Sequence, residues 1–239
     1  MSALRILTLI AMTMATWTQT LHAATDGPAA ADSASGRPAS FVDVRKQPPV
    51  DGNVHNGEGR ATVCAACHGP KGIAVAPNFP NLAGQSATYL YLQLKQFKDG
   101  QRGDPIMSVQ AANLSDDDMR NLAAYYASLP SKPRGSTESQ SAGAQLYLGG
   151  DAARGIPPCQ GCHGADAIGV RVEANGKPQP PWVSFPRLRG QSVLYVAKEL
   201  HDFREGTRSG SSNAKIMQAI AGTLSDDDIQ QLSTYLSSR

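Results

Sequence analysis

The run CxxCH occurs twice in this 239-residue chain, as CAACH at Cys64 to His68 and as CQGCH at Cys159 to His163. No other feature restricts the fold so strongly. On a helix, residues three and four apart share a face, so Cys64 and Cys67 can reach one edge of a flat ring while His68 reaches its centre. Cys159, Cys162 and His163 repeat the arrangement. This is the attachment signature of a c-type haem: two thiols become thioethers and the imidazole becomes the proximal iron ligand. Two other chemistries use CxxC. Half a zinc site would need a further His or Cys that recurs with each copy, and none does. A thioredoxin-like redox pair would need a βαβ frame, which the sequence lacks.

The first residues belong to export. Arg5 precedes an apolar run from Ile6 to about Ala15, and LHAA at Leu21 to Ala24 closes a secretory signal peptide, residues 1–23, cleaved near Ala23. The apolar run is too short to span a bilayer. An exported protein is expected, and covalent haem attachment fits that route. All four cysteines are used by the two motifs, so none remains for a disulfide. Without Arg5 the chain has 21 basic residues against 20 acidic ones, and the charges are not clustered. Such a balance argues against nucleic acid as a partner.

Most of the remaining chain is a repeat. FPNLAGQ ending at Gln85 matches FPRLRGQ ending at Gln191, and NLSDDD at Asn113 to Asp118 matches TLSDDD at Thr223 to Asp228. The offset grows from 95 at the cysteines to 106 and then 110. The second half therefore carries insertions of 11 residues around Arg171 to Pro181 and 4 around Ser209 to Ser212. Both are Gly-, Pro- or Ser-rich and are expected to be loops. The reading divides the chain into a flexible extension at 24–50, a first domain at 51–130, a linker at 131–141 and a second domain at 142–239. Each domain is expected to be helical. A helix from about Asn53 should lead into the first motif. Ser86 should cap a helix with Leu90, Leu94 and Phe97 inward, ending at Gly100, and Val196, Leu200, Phe203 and Gly206 repeat it. Ser115 with Asp118, and Ser225 with Asp228, open the last helix of each half as a capping box. About 80 residues bury little core by themselves, so each domain should depend on its haem as a staple.

The sixth iron ligand decides the chemistry, because an open position binds peroxide or gas whereas a closed one moves electrons. Beyond the signal only Met107, Met119 and Met217 are candidates. Met107 and Met217 are equivalent, each on loop sequence seven residues before the Leu of LSDDD, and this favours ligation over mere gap-filling. Met119 is matched by Ile229, which cannot bind iron, and belongs to the core. His55 and His201 have no counterpart and should be solvated. The turns at Pro80 and Pro186 either supply carbonyls to the second nitrogens of His68 and His163 or simply form loops.

Taken together, these residues resemble a family. CAACHG, FPNLAGQ, YLQLKQFKDGQR, DPIM and LSDDDMRNLAAYYASLP, followed by QLYLGGDAARGIPPCQGCHG, FPRLRGQ, ELHDFREGTR, KIM and LSDDDIQQLSTYL, look like the dihaem cytochrome c4 family, from about Gly52 to Leu236. The resemblance implies an all-α chain of two tandem class I cytochrome c domains, each around one covalently bound haem c. It implies axial pairs His68 with Met107 and His163 with Met217, and haems facing one another near the interdomain interface. It also implies a periplasmic electron carrier rather than an enzyme, in some members loosely held at the membrane, passing electrons from a donor such as a quinol-oxidising cytochrome bc complex toward a terminal oxidase. Alternatives are the electron-transfer subunit of a periplasmic dehydrogenase, a dihaem peroxidase, which would need an open haem, and a sensor, which would need a signalling domain. The extension at 24–50 and the 171–181 insertion exceed the family's usual core.

Overall fold

The computed structural model describes residues 41–131, 135, 140–170, 173–174 and 177–239. Residues 1–23, expected to be a signal peptide, residues 24–40 and most of the expected linker lie outside them. Among the described residues, five helices recur in the same order in each half. The first half has α1 (Val54–Arg60), α2 (Ala65–His68), α3 (Ala87–Lys98), α4 (Met107–Ala112) and α5 (Asp116–Ser128). The second has α6 (Ala142–Gly149), α7 (Gln160–His163), α8 (Val193–Glu205), α9 (Ser212–Ala221) and α10 (Asp226–Ser238). The only strands among the described residues are two of two residues each, β1 (Glu173–Ala174) and β2 (Lys177–Pro178), paired antiparallel within the 171–181 insertion.

The helix starts follow local chemistry. Ser86 and Ser192 accept from the backbone N–H groups of Tyr89 and Tyr195 and open α3 and α8. Reciprocal capping boxes, Ser115 with Asp118 and Ser225 with Asp228, open α5 and α10. Gly206 ends α8 in the left-handed region.

Each core forms where the first helix of a half crosses its last. Gly57 on α1 lies so close to α5 that a Cβ would stand 2.0 Å from the Asn121 carbonyl oxygen; Gly143 on α6 stands the same way against Gln231 of α10, at 2.2 Å. Around the first crossing pack Leu90, Leu92, Met119, Leu122 and Tyr125; around the second, Tyr147, Val196, Ile229, Leu232 and Tyr235. Met119 and Ile229 are equivalent and both buried, as expected of core residues.

Three expectations need correction. Residues 41–50 are not a flexible extension: Val44 and Val50 are buried in the first core, because they join one apolar cluster with Leu90 and Leu92 of α3 and Leu122 of α5. Met107 and Met217 are not on loops. Asp104 Oδ1 accepts from the N–H groups of Ile106 and Met107 and starts α4 there, while the Ser209–Ser212 insertion supplies Ser211 as N-cap and adds a turn to the front of α9. The two insertions are also joined by a third length difference. Cys64 follows Gly57 by seven residues but Cys159 follows Gly143 by 16; the excess forms a 3-10 turn at Ala152–Arg154, closed by paired backbone bonds between Asp151 and Ile156.

The two halves meet through matched pairs. Asn81 N–H donates to Gln191 Oε1 at 2.9 Å and Gln191 Nε2 donates back to the Asn81 carbonyl at 2.7 Å. The equivalent residues repeat this in reverse: Arg187 N–H donates to Gln85 Oε1 at 2.7 Å, and Gln85 Nε2 to the Arg187 carbonyl at 2.8 Å. Ser86 Oγ donates to the Val183 carbonyl at 2.6 Å, and Ser192 Oγ to that of Pro77. The turn sequence FPxLxGQ thus joins the halves about a pseudo-twofold axis.

Candidate haem sites

Cys64 and Cys159 sit at the starts of α2 and α7, and both histidines end those helices. His68 and His163 are buried, at 6% and 7% exposure. Each ring directs Nδ1 to the expected proline carbonyl, His68 to Pro80 at 2.9 Å and His163 to Pro186 at 3.0 Å. A neutral imidazole with Nδ1 donating to a carbonyl presents Nε2 as the basic nitrogen, the state required of an iron ligand. Burial lowers both histidine pKa values, partly offset by the carbonyl contact, so the rings stay neutral. Phe79 and Phe185, one residue before those prolines, pack on the rings with centroids 6.1 and 6.4 Å away.

The four thiols are free of disulfides. Burial raises the pKa of Cys64 and pushes Cys159 up to about 11, so these positions favour uncharged sulfur, which a thioether is. The buried Tyr126 hydroxyl lies against the Cys64 thiol; its equivalent, Leu236, carries no polar group. Among the described residues no three His, Cys, Asp or Glu side chains gather as metal ligands. Paired cysteine sulfurs beside an oriented imidazole, in each half, fit a covalently held haem.

Met107 opens α4 and Met217 lies inside α9, both half-buried at equivalent positions; Met217 packs with Phe203, Ala214 and Ala221. His55 is exposed, as expected. His201 differs: it is half-buried, with Nδ1 2.9 Å from Arg204 Nη2. Sequence reasoning missed the joining role of Gln85 and Gln191. Their recurrence in FPxLxGQ was the available signal, since nothing inside one half calls for a glutamine there.

A cytochrome c family model matches residues 56–130 and 141–239. The cytochrome c4 of Pseudomonas aeruginosa is 42% identical over 186 residues, spanning 77% of this chain and 88% of that one. The chain belongs to the cytochrome c4 family. The crystal structure of reduced recombinant cytochrome c4 from Pseudomonas stutzeri superposes with a TM-score of 0.70 at 36% identity, over 78% of this chain and 98% of that chain. A thiosulfate dehydrogenase electron acceptor of Stutzerimonas stutzeri is 38% identical over 180 residues, 73% of this chain and 78% of its own length. As a cytochrome c4 the chain is an electron carrier with two covalently attached haem c groups, in two tandem class I cytochrome c domains. No helix among the described residues is long and apolar enough to cross a membrane.

Proposed function

We propose that Cys64 and Cys67 hold the first haem and Cys159 and Cys162 the second, with His68 and Met107, and His163 and Met217, as axial pairs. The observation that carries this is the duplication of one donor geometry: two buried imidazoles, each with Nδ1 committed to a proline carbonyl and each matched by a methionine at the same repeat position. The haem iron supplies one-electron ferric–ferrous exchange, and a thioether ligand raises its potential relative to a second imidazole. The protein's part is to keep the imidazoles neutral and oriented, to exclude water from the ligands, and to hold the two domains in one arrangement through the Asn81–Gln191 and Gln85–Arg187 pairs. Both sixth positions are then closed, which disfavours peroxidase chemistry. We place the domains at 51–130, with residues 41–50 packed into the first core, and at 142–239, behind a signal peptide cleaved near Ala23, in the periplasm.

The carrier's partners are redox proteins that dock transiently over a small surface. Our first reading is transfer from a quinol-oxidising cytochrome bc complex toward a terminal oxidase, with peripheral contact at the membrane surface. The similarity to a thiosulfate dehydrogenase electron acceptor supports a second reading, in which a periplasmic dehydrogenase is the donor. Stopped-flow reduction of the ferric holoprotein separates them. Saturable, salt-sensitive reduction by the bc complex alone supports the first; reduction by thiosulfate dehydrogenase alone replaces it with the second.

A further inference from the structure

Two departures from the repeat lie outside the haem motifs: residues 41–50, and the Ser209–Ser212 insertion with the extra turn it gives α9. They meet each other. Val42 N–H donates to the Gly210 carbonyl at 3.0 Å, Ser212 N–H donates to the Val42 carbonyl at 3.0 Å, and Val44 N–H donates to Ser212 Oγ at 3.0 Å. The strap thus runs beside the insertion like a short parallel strand. Its other face belongs to the first domain. Val44 and Val50 are 2% and 6% exposed in that domain's core, and Val50 N–H donates to Thr88 Oγ1 on α3 at 3.0 Å. The insertion is held from a third side, since a Cβ on Gly210 would stand 2.2 Å from the Gln101 carbonyl oxygen, just beyond α3.

The held segment is the start of α9. Ser211 accepts from Ala214 N–H at 3.3 Å as its N-cap, and Asn213 Nδ2 donates to Ser184 Oγ at 2.9 Å. Met217 lies one turn further along this helix. Among the described residues the first domain shows no such device: α4 begins at Met107 itself, started by Asp104 of the same loop.

We infer that residues 41–50 are a positioning strap through which the first domain's core fixes the start of α9, and with it Met217 against the second haem. The part concerning Met217 rests on its proposed ligation of iron. A helix is one rigid rod over so short a length, so fixing its first turn limits how far Met217 can withdraw. Lost backbone pairing at a helix start is read directly by amide exchange.

The test uses the exported, haem-loaded chain, a variant lacking residues 24–45, and Ser212→Ala with Ser212→Thr as the conservative control. Exchange of amides 212–217 should quicken by about tenfold or more in the deletion and in Ser212→Ala, and return toward the wild-type rate in Ser212→Thr. In a Met107→Ala background, which isolates the second haem, the sulfur-to-ferric-iron charge-transfer band should vanish at a lower temperature when the strap is removed. Unchanged exchange at 212–217 in both variants overturns the strap. Faster exchange with an unmoved band overturns its effect on Met217. Should Met217→Ala leave that band intact, the ligation reading fails, while the exchange result still decides the strap.

Discussion

Arg102 of the first domain donates from Nη2 to Glu199 Oε1 of the second at 2.6 Å, and each side chain is only 10% exposed. Arg208, the repeat equivalent of Arg102, reaches the other carboxylate oxygen from within the second domain and also donates to Gln93 Oε1 at 2.8 Å. Gln93 is the equivalent of Glu199, so the cluster is symmetric except that one glutamine has become a carboxylate. Two buried guanidiniums share one negative charge. Glu199→Gln should therefore cost about 3–5 kcal/mol, since it leaves both cations without a counter-charge. Denaturant unfolding followed at the haem bands checks this, and a loss below about 1 kcal/mol would show that the charge is not needed.

The same carboxylate sets a pH dependence. Burial alone would raise its pKa, but Arg102 and Arg208 overcome that and hold it at about 2, against an ordinary 4.5. A depressed acid contributes stability that is full above the unfolded pKa and is lost as pH falls through the folded one. Domain docking should therefore weaken between about pH 4.5 and 2. Asp118 and Asp228, held near 2 chiefly by Arg60 and Arg154 against an ordinary 3.8, lose their contribution between about pH 3.8 and 2. The difference between wild type and Glu199→Gln isolates the interface: X-ray scattering should show wild type expanding in acid over a range where the variant has already expanded at neutral pH.

Gly57 and Gly59 share α1 and should respond oppositely to alanine. A Cβ on Gly59 meets nothing within 4 Å, whereas one on Gly57 would strike the Asn121 backbone. Gly59→Ala should stabilise the holoprotein by about 0.5–1 kcal/mol through helix propensity. Gly57→Ala should destabilise it by about 1–3 kcal/mol through overpacking. Thermal unfolding of the pair decides whether the α1–α5 crossing is as tight as the structure has it.

The repeat is legible in the sequence because it is written in residues that act locally. Ser115 and Asp118 cap their own helix, and His68 finds its carbonyl only 12 residues away at Pro80. Contacts between distant segments leave weaker marks. Val44 and Val50 sit in a stretch rich in Pro and polar residues, and only the α3 and α5 side chains they cluster with make them core. Gly57 and Gly143 look like helix weakeners until α5 and α10 are laid across them. The methionines look like loop residues because Pro105 and the Gly- and Ser-rich 209–212 run resemble breakers; Asp104 and Ser211 instead use those turns to start helices.

The measurement that bears most directly on two methionine-closed haems is the far-red spectrum of the oxidised holoprotein, quantified per haem. The sulfur-to-ferric-iron band should have the intensity of two thioether ligands, with Met107→Ala and Met217→Ala each removing half. A band of one-haem intensity or less in the wild-type chain, or either variant keeping the full band, would contradict the account.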